Sequence, residues 1–178
     1  MNKVKRLLYR VFRGHLPYTR EQLIKYGARV GKNFYNGAEI DRGHAFLLTI
    51  GDDVTLSACR ILLHDASTKR ALGYSRVGRV EIGNNVFVGA GAIILPNVKI
   101  GSNVVIGAGS VVSKDVPSNS LAVGVPCVPI KTYDEFISEN RKMLGDSLVF
   151  NTACSDKTKN EINQEYNALK DGGIGFDI

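Results

Sequence analysis

The sequence predicts an all-β fold, a parallel β-helix with short flanking helices, and three observations support this prediction. An aliphatic residue recurs at every sixth position over residues 82–116: Ile82, Val88, Ile94, Ile100, Ile106 and Val112. A residue of inward-facing size follows each of them four positions later: Val86, Ala92, Val98, Val104, Ser110 and Val116. Glycine directly follows four of the six aliphatic residues. Helices repeat every 3.6 residues and ordinary strands every two, whereas one short strand plus one corner repeats every six. Three such units make one coil, and stacked coils bury a continuous core.

Composition limits the possible partners and surroundings of the chain. Its 178 residues and 44% hydrophobic content suit one domain with extensions. The net charge of +6 favours anionic partners, but basic motifs interleaved with aromatic residues are absent, so we expect no nucleic acid. Three cysteines without metal-like spacing predict reduced thiols in a cytoplasmic protein. No apolar run approaches the roughly 20 residues that span a bilayer.

Residues 1–29 are predicted to form an N-terminal extension. Residues 2–14 are basic and amphipathic, which fits a helix beside the solenoid or a peripheral contact with an anionic membrane. Residues 19–29 predict a short helix in which Thr19 is the N-cap and Gln22 completes a capping box.

The β-helix domain is expected over residues 30–131. Its early turns, VGKNFY, NGAEID and RGHAFL, are irregular and need a small insertion before Ile50, after which Leu62 begins a further unit. The repeat breaks at residues 67–79, a polar and basic stretch that we interpret as a protruding loop. Loops on a rigid scaffold often carry function, although a tolerated insertion without a role is the alternative.

Residues 132–178 are predicted to form a helical C-terminal extension with a tail. The repeat stops at Pro117, and the three prolines of residues 117–131 are expected to end the regular ladder. A helix is predicted over residues 132–144 with Gly145 as its stop, and a weaker one over residues 158–170. The tail to Ile178 is expected to be loose.

Histidine is the natural side chain for removing a proton near neutral pH. His15 shows no evident partner in the sequence, and His44 lies in an irregular early coil. His64 stands where the last coil meets the 67–79 loop, so it is the preferred candidate for catalysis.

The motifs VGAGAII, IGAGSVVSKDVP and AVGVPC give the chain a resemblance to a known family. Over residues 30–131 it resembles the left-handed β-helix acyltransferases, and within them the galactoside and maltose O-acetyltransferases and those of surface-polysaccharide pathways. The resemblance implies a left-handed prism, a homotrimer and acetyl-CoA in the cleft between neighbours. The left hand rests on the resemblance alone, because a period of six does not set handedness.

The resemblance also implies catalytic roles for two residues. His64 matches the general base that activates an acceptor hydroxyl, and Asn36, in NFYN, matches a donor to the oxyanion. A simple turn before Gly37 is the alternative for Asn36. The second imidazole nitrogen of His64 needs an acceptor. Asp65 is adjacent to His64 in sequence, but side chains of neighbouring residues often point apart. A backbone carbonyl, Asp41 and Glu39 therefore remain open as the acceptor.

For the cofactor, the resemblance implies contacts along the prism wall. The matching positions are Ala90, Ala108, Ser113, Lys114 and Lys131. Small side chains suit the thin pantetheine arm, and lysines suit its phosphates. Val128 departs from the family, which usually has a basic residue at this position.

The acceptor site is expected to involve Tyr74, which can stack on a sugar ring, and Asp41. The basic residues Lys69, Arg70 and Arg76 favour an acidic or nucleotide-linked acceptor. The 67–79 loop is shorter than in the galactoside type, which argues against free galactoside or maltose. The leading hypothesis is therefore an acetyl-CoA-dependent O-acetyltransferase acting on a sugar of a surface polysaccharide or its precursor.

Other functions remain open at this point. N-acetylation of a nucleotide-activated amino sugar and O-acetylation of serine use the same co-substrate, and a β-helix can also be a structural scaffold. The γ-class carbonic anhydrases share the prism but need three histidines around a metal. His15, His44 and His64 lack evident matching spacing, so no metal is expected.

Overall fold

The structure, a computed structural model, describes residues 17–178. The predicted basic helix at residues 2–14 and His15 lie outside the described residues. The described residues form two compact units, which divide between Tyr133 and Asp134 and are described separately.

The first described helix, α1 (Arg20–Lys25), confirms the predicted capping box. The Gln22 amide donates to Thr19 Oγ1 at 3.3 Å, and the Thr19 amide donates to Gln22 Oε1 at 2.9 Å. The helix is shorter than predicted because Gly27 takes a φ of +92° two residues after its end, a conformation that favours glycine.

The strands that follow wind around three faces in turn. The first face contains β1 (Arg29–Val30), β4 (Leu48–Ile50), β9 (Val80–Ile82) and β12 (Val98–Ile100). The second contains β2 (Phe34–Asn36), β5 (Val54–Leu56), β10 (Val86–Val88), β13 (Val104–Ile106), β15 (Ser120–Val123) and β16 (Val128–Lys131). The third contains β3 (Glu39–Ile40), β6 (Arg60–Ile61), β11 (Ile93–Ile94) and β14 (Val111–Val112).

Neighbouring strands on these faces are parallel, except that β16 is antiparallel to β15. Because the chain returns to the same face after three strands, each turn of the chain is a three-sided coil. The predicted parallel β-helix is therefore confirmed. We call the edge between the second and third faces the second corner, and the edge between the third and first faces the third corner.

The core consists of the side chains that the period of six selects. All twelve residues of the two predicted series are at most 3% exposed. Equivalent residues stack across coils, as where Ile94 pairs with Ile61 on one side and Val112 on the other. Corners stack as closely: a Cβ on Gly83 would lie 2.7 Å from the carbonyl carbon of Gly101. Glycine at that corner thus allows direct contact between neighbouring coils.

Replacing Ile94 by alanine should test how much this stack of side chains contributes to the stability of the fold. The substitution leaves a cavity between two layers, so we expect the free energy of unfolding to fall by about 2–5 kcal/mol. Ile93→Ala is the matched control, because Ile93 is only half-buried on the same strand, and its loss should be clearly smaller. Urea unfolding of both variants measures the difference, and equal losses would contradict the assigned inward face.

Two predictions for the early coils are wrong. RGHAFL is a 3₁₀ helix (Arg42–Leu47) inserted between β3 and β4, and so supplies the insertion expected before Ile50. Ile61, not Leu62, takes the inward position, because the coil after Leu56 is one residue short. Ala58 makes this tighter corner possible with a φ of +44°.

The predictions for the end of the repeat and the loop also need correction. Val116 still bridges to Ile100, and β15 adds a further parallel strand after Pro117. The last strand, β16, pairs with β15 through a register shift between Leu121 and Ala122, and Pro129 falls on this antiparallel edge strand, where a missing amide is tolerated. Residues 67–79 contain helix α2 (Lys69–Leu72), and β7 (His64–Asp65) pairs with β8 (Arg76–Val77).

The second unit consists of helix α3 (Tyr133–Asp146), which begins at its boundary, followed by β17 (Leu148–Phe150), α4 (Lys159–Leu169) and β18 (Gly175–Asp177). Gly145 lies inside α3, so its prediction as a stop is wrong. The tail is not loose, because β18 pairs in parallel with β17. Among the helices described, none is long and apolar enough to cross a membrane.

Candidate active site

The third corner brings together two residues that lie 23 positions apart. Asp41 directly follows Ile40, and His64 comes three residues after Ile61. Because Ile40 and Ile61 are register partners on the third face, both segments leave it at the same corner in adjacent coils. There, Nδ1 of His64 forms a short hydrogen bond with Oδ2 of Asp41.

A second histidine joins this pair. Asp41 is the N-cap of the 3₁₀ helix, and its Oδ1 accepts a hydrogen bond from the Gly43 amide at 3.0 Å. His44 Nδ1 lies 2.7 Å from Asp41 Oδ2, the same oxygen that His64 contacts. The imidazoles of His44 and His64 stack with centroids 4.8 Å apart and planes at 29°. We call Asp41, His44 and His64 the Asp41 cluster.

The electrostatics of the cluster keep Asp41 ionised. Partial burial raises the pKa of its carboxyl group, but the hydrogen bonds from His44 and His64 and their attraction outweigh this effect. The net result is a lowered pKa. A carboxylate can only accept hydrogen bonds, so each neutral imidazole donates through Nδ1 and carries its lone pair on Nε2.

The cluster also contains ligand types that metals use. One ligand atom from each of Asp41, His44 and His64 lies within 4.8 Å of the others. Both Nδ1 atoms are directed at a single carboxylate oxygen, however, and are engaged in hydrogen bonds with it. This arrangement orients imidazoles rather than presenting three lone pairs to a common point.

The other acids considered for orienting His64 have different partners. Asp65 pairs with Arg76 and accepts the Ser67 amide, and these hydrogen bonds lower the pKa of Asp65 to about 2. Glu39 pairs with Arg60 at 2.7 Å. Asp41 is therefore the acid that contacts His64.

Asn36 is the last residue of β2, on the second face, and its hydrogen bonds are to residues outside this cluster. It is the register partner of the buried Leu56, and its Nδ2 donates to the Tyr18 carbonyl at 2.8 Å. Its Oδ1 accepts the Ala38 amide at 3.0 Å, which is the turn expected as the alternative. The role of Asn36 as an oxyanion donor stays a prediction.

Four of the five predicted cofactor residues flank the third face. Ala90 and Ala108 are exposed in adjacent coils at the second corner, where the Gly109 amide donates to the Ala90 carbonyl at 2.9 Å. Ser113 and Lys114 are exposed at the third corner, on the same edge as His64. Lys131 is half-buried on β16.

Comparison with known proteins places this geometry in a family. The model for "Bacterial transferase hexapeptide (six repeats)" matches residues 79–114. Galactoside O-acetyltransferase from Escherichia coli K12 is 40% identical over 118 residues, which are 62% of this chain and 57% of that protein. Protein CapG of Staphylococcus aureus is 38% identical over 149 residues, 77% of this chain and 85% of CapG. The chain belongs to the hexapeptide-repeat acyltransferases.

A solved structure of this family is also similar. A galactoside acetyltransferase in complex with coenzyme A superposes with a TM-score of 0.56 and 36% identity, covering 63% of this chain and 58% of that one. The chain thus spans somewhat more than half the length of its galactoside-type relatives.

Sequence reasoning missed His44 as a member of the site of this hexapeptide-repeat acyltransferase. It assigned RGHAFL to a coil, in which His44 would have had no defined partner. The usable signal was the spacing of Asp41 and His44, because the side chain of an N-cap residue reaches back over the residues two and three positions later.

Proposed function

We propose that this protein is an acetyl-CoA-dependent O-acetyltransferase that modifies a sugar hydroxyl of a surface polysaccharide or its precursor. The observation that carries the proposal is the His64–Asp41 pair at the third corner of a hexapeptide-repeat acyltransferase. Relatives named galactoside O-acetyltransferase and a similar structure that contains coenzyme A support the substrate classes.

His64 acts as the general base in this proposal. Because Asp41 accepts its Nδ1–H, the Nε2 lone pair faces away from the carboxylate and can take the proton of an acceptor hydroxyl. Acetyl-CoA, when bound, supplies the electrophilic thioester carbonyl and a thiolate leaving group. Asp41 stabilises the imidazolium while His64 holds the proton, which His64 then returns to the departing sulfur. The amide of Asn36 is the proposed donor to the developing oxyanion.

The chemistry of the predicted cofactor residues fits the co-substrate. The short side chains of Ala90 and Ala108 leave the second corner open for a thin arm. Ser113 offers a hydroxyl, and the lysines Lys114 and Lys131 offer positive charge for phosphates. We place the transferase domain at residues 30–131 and assign it a left-handed coil.

The arrangement of these residues favours a homotrimer, and the three free cysteines favour the reducing cytoplasm. Within one chain, the third face separates Ala90 and Ala108 from His64. Two edges of one prism cannot enclose the same narrow site, but an edge from each of two copies can. A closed ring of three copies gives every copy the same two contacts.

The acceptor site is proposed to lie beside the 67–79 segment. Tyr74 is 80% exposed and can cover a sugar ring, while Lys69 and Arg70 favour an acidic or nucleotide-linked acceptor. The ion pair between Asp65 and Arg76 ties this segment to the residue next to His64. Asp41 is already engaged with two histidines, so its proposed action on the acceptor is through His64.

Release of the coenzyme A thiol tests the function directly. The protein is incubated with acetyl-CoA and a panel of saccharides, nucleotide sugars, amino sugars and serine, and a thiol reagent follows the reaction. We expect release that depends on a hydroxyl-bearing saccharide, with acetate found as an ester. Thiol release only with amino sugars or with serine would show that the proposed acceptor class is wrong. No thiol release with any acceptor would refute the proposal.

A further inference from the structure

We propose that His44 is a positioning residue for the transfer reaction, which fixes the Asp41 carboxylate and braces the ring of His64. This inference rests on the proposed function of the His64–Asp41 pair. His44 is not the base in this assignment, and it acts through its two neighbours.

The first support is the hydrogen bonding of Asp41. Oδ1 is held by the Gly43 amide at 3.0 Å, and Oδ2 by His44 at 2.7 Å and by His64. With donors on both oxygens, rotation of the carboxylate breaks at least one hydrogen bond. Without His44, Oδ2 would have a hydrogen bond from His64 alone. The carboxylate of Asp41 and the ring of His64 could then shift as a pair without breaking that hydrogen bond.

The second support is the stack of the two rings. A separation of 4.8 Å and an angle of 29° place one face of His64 against His44. The hydrogen bond to Asp41 limits tilting of the His64 ring, and the stack limits its rotation about that bond. Both restraints direct Nε2, the atom that takes the proton, along one line.

The third support is the packing on either side of the kink at which His44 lies in the 3₁₀ segment, with a φ of −121° and a ψ of 16°. Ala45, the next residue, is completely buried, and the ring of Phe46 lies 6.2 Å from that of His44. The helix begins at the Asp41 cap itself. The acid therefore caps the same short insertion that supplies the second histidine, and both lie at the corner where His64 leaves the prism.

Three substitutions separate the hydrogen bond from the ring. His44→Asn places an amide N–H close to the position of Nδ1 and removes the ring. His44→Phe keeps the ring and removes the donor, and His44→Ala removes both. Losing a hydrogen bond to a charged group corresponds to about a 10- to 100-fold change.

We expect His44→Ala to lower kcat by about 10- to 100-fold with little change in either KM. His44→Phe, which keeps the ring, and His44→Asn, which keeps the donor, should each lose less than His44→Ala but stay below the wild type. In an Asp41→Asn background, His44→Phe should cause no further loss, because the carboxylate it holds is gone. Wild-type kcat in His44→Phe, a kcat of His44→Asn no higher than that of His44→Ala, or full additivity with Asp41→Asn would each overturn the inference. Unchanged melting temperatures separate these effects from misfolding.

A second readout does not depend on acetyl transfer. Long-range ¹⁵N–¹H spectra report which nitrogen of each imidazole carries hydrogen, and single substitutions assign the three histidines of the chain. At mildly alkaline pH we expect Nδ1–H on both His44 and His64, with His64 shifting toward Nε2–H in His44→Phe. Nε2–H on His44 in the wild type would overturn the inference even if the enzyme is active. Absence of acetyl transfer by the wild type would instead count against the proposed function alone.

Discussion

Replacing His64 by alanine is expected to lower kcat for acetyl transfer by about 10²- to 10⁴-fold, the range for a general base. The Nε2 lone pair is the only feature of the Asp41 cluster that the proposal places on the acceptor hydroxyl. Affinity for coenzyme A should stay within about twofold of the wild type, since its proposed contacts lie elsewhere. Steady-state kinetics and calorimetry measure the two quantities.

The His64→Ala experiment has a matched control and a rescue. Glu39→Gln removes an acid near the same corner that pairs with Arg60 on the surface, and exposed pairs contribute little. Its kcat should be unchanged. Added imidazole should restore part of the activity of His64→Ala by replacing the missing base. Full activity in His64→Ala without imidazole would refute the assignment and point to His44.

The repeat was predictable because a single physical requirement fixes it. In residues 82–116 each coil buries its side chains only against the coils on either side, so the pattern in the sequence is the pattern in space. Near Leu56 this correspondence fails. One residue fewer in the corner is compensated by the backbone of Ala58, and a count in sixes then selects Leu62 instead of Ile61. A local backbone choice of this kind leaves no trace in hydrophobic periodicity.

The site was predictable in part for a similar reason. His64 stands where the repeat breaks, a boundary that is visible in the sequence. Its partner Asp41 remained one of several choices because only the stacking of Ile40 on Ile61 brings the two corners together. His44 was missed because the irregular six-residue insertion has the length of one repeat unit of the β-helix. The tail at residues 175–177 was misjudged because its pairing partner β17 lies far from it in sequence.

Mixing two inactive variants should restore activity if each site is built from two copies of the chain. Ala90→Phe puts a large ring on the second corner and should block binding of the co-substrate. Because Ala90 is exposed, we expect the fold to tolerate this ring. His64→Ala removes the base from the third corner. When the two chains are co-expressed in equal amounts, random assembly joins an intact second corner to an intact third corner at roughly a quarter of the sites.

Activity of roughly a quarter of the wild type is therefore expected from the mixture, against almost none from either variant alone. Ala90→Phe mixed with Ala108→Phe is the matched control. Both substitutions damage the same corner, so every site in that mixture keeps a blocked wall, and no activity should return. If the first mixture also stays inactive while forming mixed oligomers, Ala90 and His64 serve the same site from one chain. The third face would then have to form the floor of the site rather than separate its two halves.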